Sequence, residues 1–155
     1  MFVTKARPIV PNTTYLLTRN CSERRFFLKP DRDVRNLVGY CLALAQAESK
    51  IELHVVATNI NHYHIEATDT YGLLPEFSYC FHKYVAKCLN AFYQRRESVW
   101  MSTQKTGYTE LGDDGAVFKQ AVYSITNVVK DGLVSRSELW EVLLLWRPGS
   151  YTFNR

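Results

Sequence analysis

The sequence predicts an α+β fold, a ferredoxin-like sandwich with a central antiparallel sheet and helices packed on one face. Three observations predict it. Apolar residues recur at helical spacing in three stretches, opening near Val34, Glu76 and Ala116. Two β-rich runs, Ile51–Thr58 and His62–Ala67, flank a turn at Asn59-Ile60-Asn61 and make a central hairpin. The resulting order, β-α-β-β-α-β-α, is the split β-α-β arrangement with one helix added.

Each element has a local cause. Pro8 and Pro11 break the first stretch, after which Thr14–Arg19 reads as a strand and Phe26-Phe27-Leu28 as an apolar patch. Lys29-Pro30-Asp31-Arg32-Asp33 signals a helix start, with Asp31 or Asp33 as the cap. Val34, Leu37, Val38, Cys41, Leu42, Leu44 and Ala45 then give a helix running to Ser49. Asp69 to Pro75 is read as loop. Phe77, Phe81, Tyr84, Val85, Cys88, Leu89 and Phe92 place a second amphipathic helix over Glu76–Tyr93. A polar stretch from Gln94 to Asp114 holds a short strand around Gly107–Glu110. Gly112-Asp113-Asp114-Gly115 opens a third helix, roughly Ala116–Lys130, which ends near Asp131-Gly132. Its expected core stripe is Phe118, Val122, Ile125 and Val129. Ser135-Arg136-Ser137-Glu138 has capping-box spacing and opens a short last helix to Trp146.

Composition narrows the class. The 155 residues, 46% hydrophobic and 14% aromatic, suit one globular domain over 1–155 with a real core. No run approaches the roughly 20 apolar residues of a membrane span. The start, MFVTKARPIVPNTTY, lacks a secretory h-region, so a cytoplasmic protein with no membrane association is expected. In that compartment Cys21, Cys41, Cys80 and Cys88 are reduced thiols, and Cys80, His82 and Cys88 match no familiar zinc spacing. The net charge of +4, from 19 Lys and Arg against 15 acids, is compatible with a polyanion partner and does not require one.

The residues that point to chemistry are Asn61-His62-Tyr63-His64 and, later, Tyr123 with Asn127. Side chains alternate along a strand, so His62, His64 and Glu66 share one face, and the two histidines offer half of a metal site. Residues i and i+4 share a helix face, so Asn127 accompanies Tyr123. The set would supply metal ligands and a nucleophile, which suits breaking a phosphodiester bond. The plainer alternative is a solvated strand with two incidental histidines and a tyrosine at the core edge with its hydroxyl in water.

Four blocks, in this order, resemble the REP-associated and related single-tyrosine HUH transposases. They are Asn61–His64, Leu74-Pro75-Glu76-Phe77, His82–Tyr93 and Tyr123–Val134, and the resemblance spans about Tyr15 to Trp146. It implies that His62 and His64 bind Mg²⁺ or Mn²⁺, that Asn127 is the third ligand and that Tyr123 is the nucleophile. Attack would leave a 5′-phosphotyrosine and a free 3′-hydroxyl, in a cycle of single-stranded DNA cleavage and rejoining. The ion compensates for phenol being a poor nucleophile near neutral pH. Two departures stand out: Asn127-Val128 replaces the usual Asn-Pro, and Glu66 stands where an aliphatic residue is common and is a competing ligand.

The same resemblance implies single-stranded or hairpin DNA as partner, nucleoid association when bound, and a homodimer. Arg19, Arg24, Arg25, Lys83, Lys87, Asn90 and Lys105 are candidate DNA contacts, each also readable as an ordinary surface group. Tyr108 is the alternative nucleophile. The competing class is a non-catalytic nucleic-acid-binding module derived from a transposase.

Overall fold

The structure, a computed structural model, describes residues 8–140. Strand β1 (Thr13–Asn20) leads into helix α1 (Arg32–Ser49), followed by the hairpin β2 (Glu52–Thr58) and β3 (His62–Asp69). Helix α2 (Leu74–Phe92), strand β4 (Gly107–Leu111) and helix α3 (Asp114–Lys130) complete the α+β fold. The sheet order is β2-β3-β1-β4, antiparallel throughout. This is the ferredoxin-like arrangement expected from the sequence.

Local signals set the helix ends. The Asp31 carboxylate accepts from the Val34 amide at 2.8 Å and starts α1. Lys50, with φ of 55°, turns the chain out at its far end. The segment expected to be loop up to Pro75 already turns helical at Leu74. Its cause is Asp69, whose buried carboxylate accepts from the amides of Tyr71, Gly72, Leu73 and Leu74 at 2.7–3.2 Å. One side chain thus satisfies backbone donors that a helix start leaves unpaired. The cap lies five residues before the helix, outside the usual spacing.

Strand alternation splits β3 into two faces. Tyr63, Ile65 and Ala67 are buried with Leu17 of β1 against α1 and α2. There Val34, Val38 and Leu42 from α1 meet Phe77, Phe81, Val85 and Leu89 from α2. Each such side chain contributes roughly 1.5–3 kcal/mol on burial. His62, His64 and Glu66 occupy the opposite face.

Helix α3 departs from the one-sided packing expected, because it lies over that second face. It also presents the other side of itself. Of the expected apolar stripe, Phe118 is 72% exposed, Val122 44% and Val129 36%, while Ser124, Asn127 and Val128 are buried. The physical reason is the sheet beneath: its face carries His62, His64 and the buried Glu66, to which Ser124 of α3 donates. The expected last helix is a single 3-10 turn over Ser137–Leu139. It is followed by Trp140, whose indole donates to the Thr58 carbonyl at 2.8 Å, and the remainder up to Trp146 lies outside the described residues. Among the described residues, no helix is long and apolar enough to cross a membrane.

Candidate active site

The site is the cleft between β3 and α3. His62 and His64 sit side by side, ring centroids 5.1 Å apart and planes at 77°. The Tyr123 ring stands edge-on to His64, with centroids 6.4 Å apart. Alternation along β3 puts both histidines here, and α3 brings Tyr123 from the other side. Tyr123 is 44% exposed. The Lys130 ammonium lies 5.3 Å from the Tyr123 ring centre, one cation–π contact beside the phenol.

A polar chain fixes the histidines. The Asn59 side-chain amide donates to His62 Nε2 at 3.1 Å, and His62 Nδ1 then donates to Asn61 Oδ1 at 2.8 Å. An amide nitrogen only donates, so this tautomer follows from the pairing. The Asp131 carboxylate accepts from both Asn59 and Asn127, each at 3.3 Å. Asn127 is thereby tied to His62 through two intermediates. His64 Nδ1 is buried with no partner.

Electrostatics keep the imidazoles neutral. Burial lowers the pKa of His62, with Asp131 opposing and Arg24 adding to the shift. Burial, reinforced by neighbouring His62, brings His64 down to about 4. Neutral imidazole is the form that ligates a metal. Beneath them Glu66 is fully buried, its acidity suppressed by desolvation to a pKa of about 7 against the pull of the Ser124 hydrogen bond. Ser124 donates to one of its oxygens at 3.2 Å, and the other has no partner. Among the described residues no three His, Cys, Asp or Glu side chains converge as a metal-binding group.

The remaining candidates fall elsewhere. Arg24 is beside the site, its carbonyl accepting from Asn61 at 3.3 Å, and exposed Arg25 pairs with Glu23 at 2.8 Å. Lys83 and Lys87 are on the exposed side of α2, across the sheet from Tyr123. Asn90 is a structural group: its amide donates to the Glu97 carbonyl at 2.9 Å and closes the loop after α2. Arg19 and Lys105 line a different cleft. Tyr108 pairs with Leu17 in the sheet and shares the α1 and α2 side, the wrong face for a nucleophile acting with His64. Cys80, His82 and Cys88 have separate partners: Glu48 for Cys80, Arg19 and Tyr63 for His82, and Cys41 for Cys88.

Sequence reasoning missed Asn59, Ser124, Lys130 and Asp131. A signal existed for Asp131, four residues after Asn127, and for Lys130, seven after Tyr123 and so on its helix face. None existed for Ser124, whose role depends on Glu66 across the fold.

No family model matches the chain, and no curated protein matches it. Two solved structures are similar. A REP-associated tyrosine transposase bound to a REP hairpin has a TM-score of 0.71 and 14% identity, covering 91% of this chain and 81% of that one. A protein from Deinococcus radiodurans, assigned provisionally as a transposase, has a TM-score of 0.51 and 16% identity, covering 81% of this chain and 97% of that one. The fold is therefore that of the REP-associated tyrosine transposase.

Proposed function

We propose that the chain is a metal-dependent transposase that cleaves and rejoins single-stranded DNA through a 5′-phosphotyrosine on Tyr123. The observation that carries this reading is the accessible Tyr123 ring set 6.4 Å from His64, which in turn meets His62 edge-on. Mg²⁺ or Mn²⁺ would be held by His62, His64 and Asn127. The donor set fits: both imidazoles are neutral, His64 Nδ1 has no partner, and an amide adds no charge. His62 must exchange its bond from Asn59 for the ion. When bound, the ion supplies positive charge to the scissile phosphate.

The chain's own residues do the rest. Tyr123 Oη attacks phosphorus, the bond from phosphorus to the 3′-oxygen breaks, and that oxygen leaves as a 3′-hydroxyl after taking up a proton. Tyr123 gives its proton to water and keeps the 5′-phosphate as an ester, so the reverse attack by a 3′-hydroxyl rejoins the strand. Lys130, its ammonium 5.3 Å from the Tyr123 ring centre, would add positive charge beside the phenol as negative charge develops there. Asp131 and Asn59 orient Asn127 and His62.

Hairpin or single-stranded DNA as partner is supported by the hairpin bound to the similar transposase, and a cytoplasmic, nucleoid-associated location accords with it. The exposed apolar side of α3 (Phe118, Val122 and Val129) supports a homodimer. A second reading, a non-catalytic DNA-binding module, is favoured by one feature: both ring nitrogens of His62 already have protein partners.

The test is a denaturing gel of labelled single-stranded oligonucleotide with Mn²⁺. Wild type should give a covalent adduct, whereas Tyr123→Phe should bind DNA and give none, and His64→Ala should give none. A wild type that binds but forms no adduct selects the second reading. An adduct on Tyr123→Phe removes Tyr123 from the role.

A further inference from the structure

Arg19 carries a positive charge that the described part of the chain does not neutralise. It projects from β1 on the side of α1 and α2, with Leu17 and Tyr15. One terminal nitrogen donates to His82 Nδ1 at 3.0 Å, and the guanidinium carbon lies 5.8 Å from the Trp100 ring centre. Nε is buried with no partner, and among the described residues no carboxylate pairs with Arg19. Its one polar partner is a neutral imidazole, which cannot balance the charge. A half-buried guanidinium without an anion is unfavourable, and an anion arriving at its terminal nitrogens from the cleft would balance the charge.

That charge borders a cleft of about 610 Å³ between the β1–β4 edge and the first turn of α2. Lys105 and Thr106 stand with Arg19 at one end of its lining, and Tyr15 and Glu110 belong to the other. Register gives the polarity: Glu110 pairs with Tyr15, four residues along β1 from Arg19, or roughly 13 Å at strand spacing. Tyr108 lies between. The cleft thus has cations at one end, an aromatic ring midway and a carboxylate at the other. Its volume is within the range of small-molecule sites, roughly 300–1,000 Å³.

We propose that this cleft binds one unpaired nucleotide of the DNA strand, phosphate against Arg19 and Lys105, base against Tyr108, and exocyclic amine against Glu110. It rests on the DNA-processing reading above and adds a second strand-holding point, on the sheet face away from Tyr123. A strand engaged at both must pass round β4, the edge strand, which is only five residues long. Arg forks pair bidentately with phosphate, stacking on tyrosine tolerates any base, and a carboxylate accepts from an amino group. Cytosine, adenine and guanine carry such an amine and thymine does not, so the cleft should disfavour thymine.

The test uses the full chain carrying Tyr123→Phe, so that binding is read without cleavage, and fluorescence anisotropy of a labelled single-stranded 12-mer. Lys105→Ala and Arg19→Gln should each weaken binding about fivefold or more, and Glu110→Gln should narrow the preference for a dC over a dT oligomer. An oligonucleotide carrying 5-iododeoxycytidine, which keeps the exocyclic amine, should crosslink to Tyr108. Unchanged affinity in both Lys105→Ala and a folded Arg19→Gln would overturn the proposal, as would equal affinity for dC and dT oligomers. Free dCMP binding as tightly as the 12-mer would overturn the strand assignment. A wild-type chain that forms no adduct yet binds DNA in a Lys105-dependent way would remove the cleavage reading and leave the cleft standing.

Discussion

Ser124 and Glu66, 58 residues apart in the chain, meet in a buried hydrogen bond of 3.2 Å that decides how α3 faces the sheet. Tyr123 precedes Ser124, so the contact that holds Ser124 inward also sets the direction of the phenol. Glu66 has a second, unpartnered oxygen, and Ser124 is its one donor among the described residues. Replacing Ser124 by Ala removes only the hydroxyl and leaves a buried carboxyl group with no partner. We expect a loss of about 1–3 kcal/mol in urea unfolding and a lower adduct yield. An unchanged midpoint would mean the bond does not hold the helix.

Asp131 should act as a positioning residue for the metal ligands. Its carboxylate accepts from Asn59 and Asn127, which in turn meet His62 and complete the proposed ligand set. Asp131→Ala should raise the Mn²⁺ concentration for half-maximal adduct formation by about 10–100-fold, the usual consequence of losing such support. Oligonucleotide affinity without metal should stay within about twofold. Equal shifts in both would point to a general loss of structure.

Acid should destabilise the protein from about pH 6.5 downward, with His82 a main contributor. Burial and then the Arg19 charge hold its pKa down to about 3, from 6.5 in the unfolded chain. Arg19 donates to Nδ1, so His82 Nε2 carries the proton and donates to Tyr63 at 2.7 Å. Between those pH values the unfolded chain binds a proton that the folded one does not. Stability is thus complete above about pH 6.5 and falls by up to about 1.4 kcal/mol per pH unit below it. His82→Gln should be less stable at pH 7.5 but show a flatter decline between pH 6.5 and 4.5. An identical decline in the mutant would assign the acid loss to other groups, such as His54 or His64, which burial also depresses.

The exposed apolar side of α3 gives the homodimer a surface to test. Phe118→Asp places a charge at its most exposed large apolar residue and leaves the buried side of the helix untouched. Sedimentation should show the dimer weakened at least tenfold with thermal stability nearly unchanged. A wild type that is monomeric at all concentrations would remove the dimer.

Sequence alone determined the elements and the pairing of the site residues within them. Alternation placed His62 and His64 on one strand face, and helical spacing placed Asn127 with Tyr123, because both periods are properties of the local backbone. The starts of α1 and α3 were equally legible, since the caps Asp31 and Asp113 bond amides only three residues on. The tertiary structure alone decided which side of α3 turns inward. Periodicity nominated Phe118, Val122 and Val129, but the sheet beneath is polar, and Ser124 donates to Glu66, which an apolar stripe would leave unpaired. The same holds for Asp69, which caps a helix from five residues away, and for Arg19, whose lack of an anion shows only once its neighbours are assembled. Hydrogen-bond satisfaction is a sum over everything that surrounds a group in space, and spacing along one segment carries no record of it.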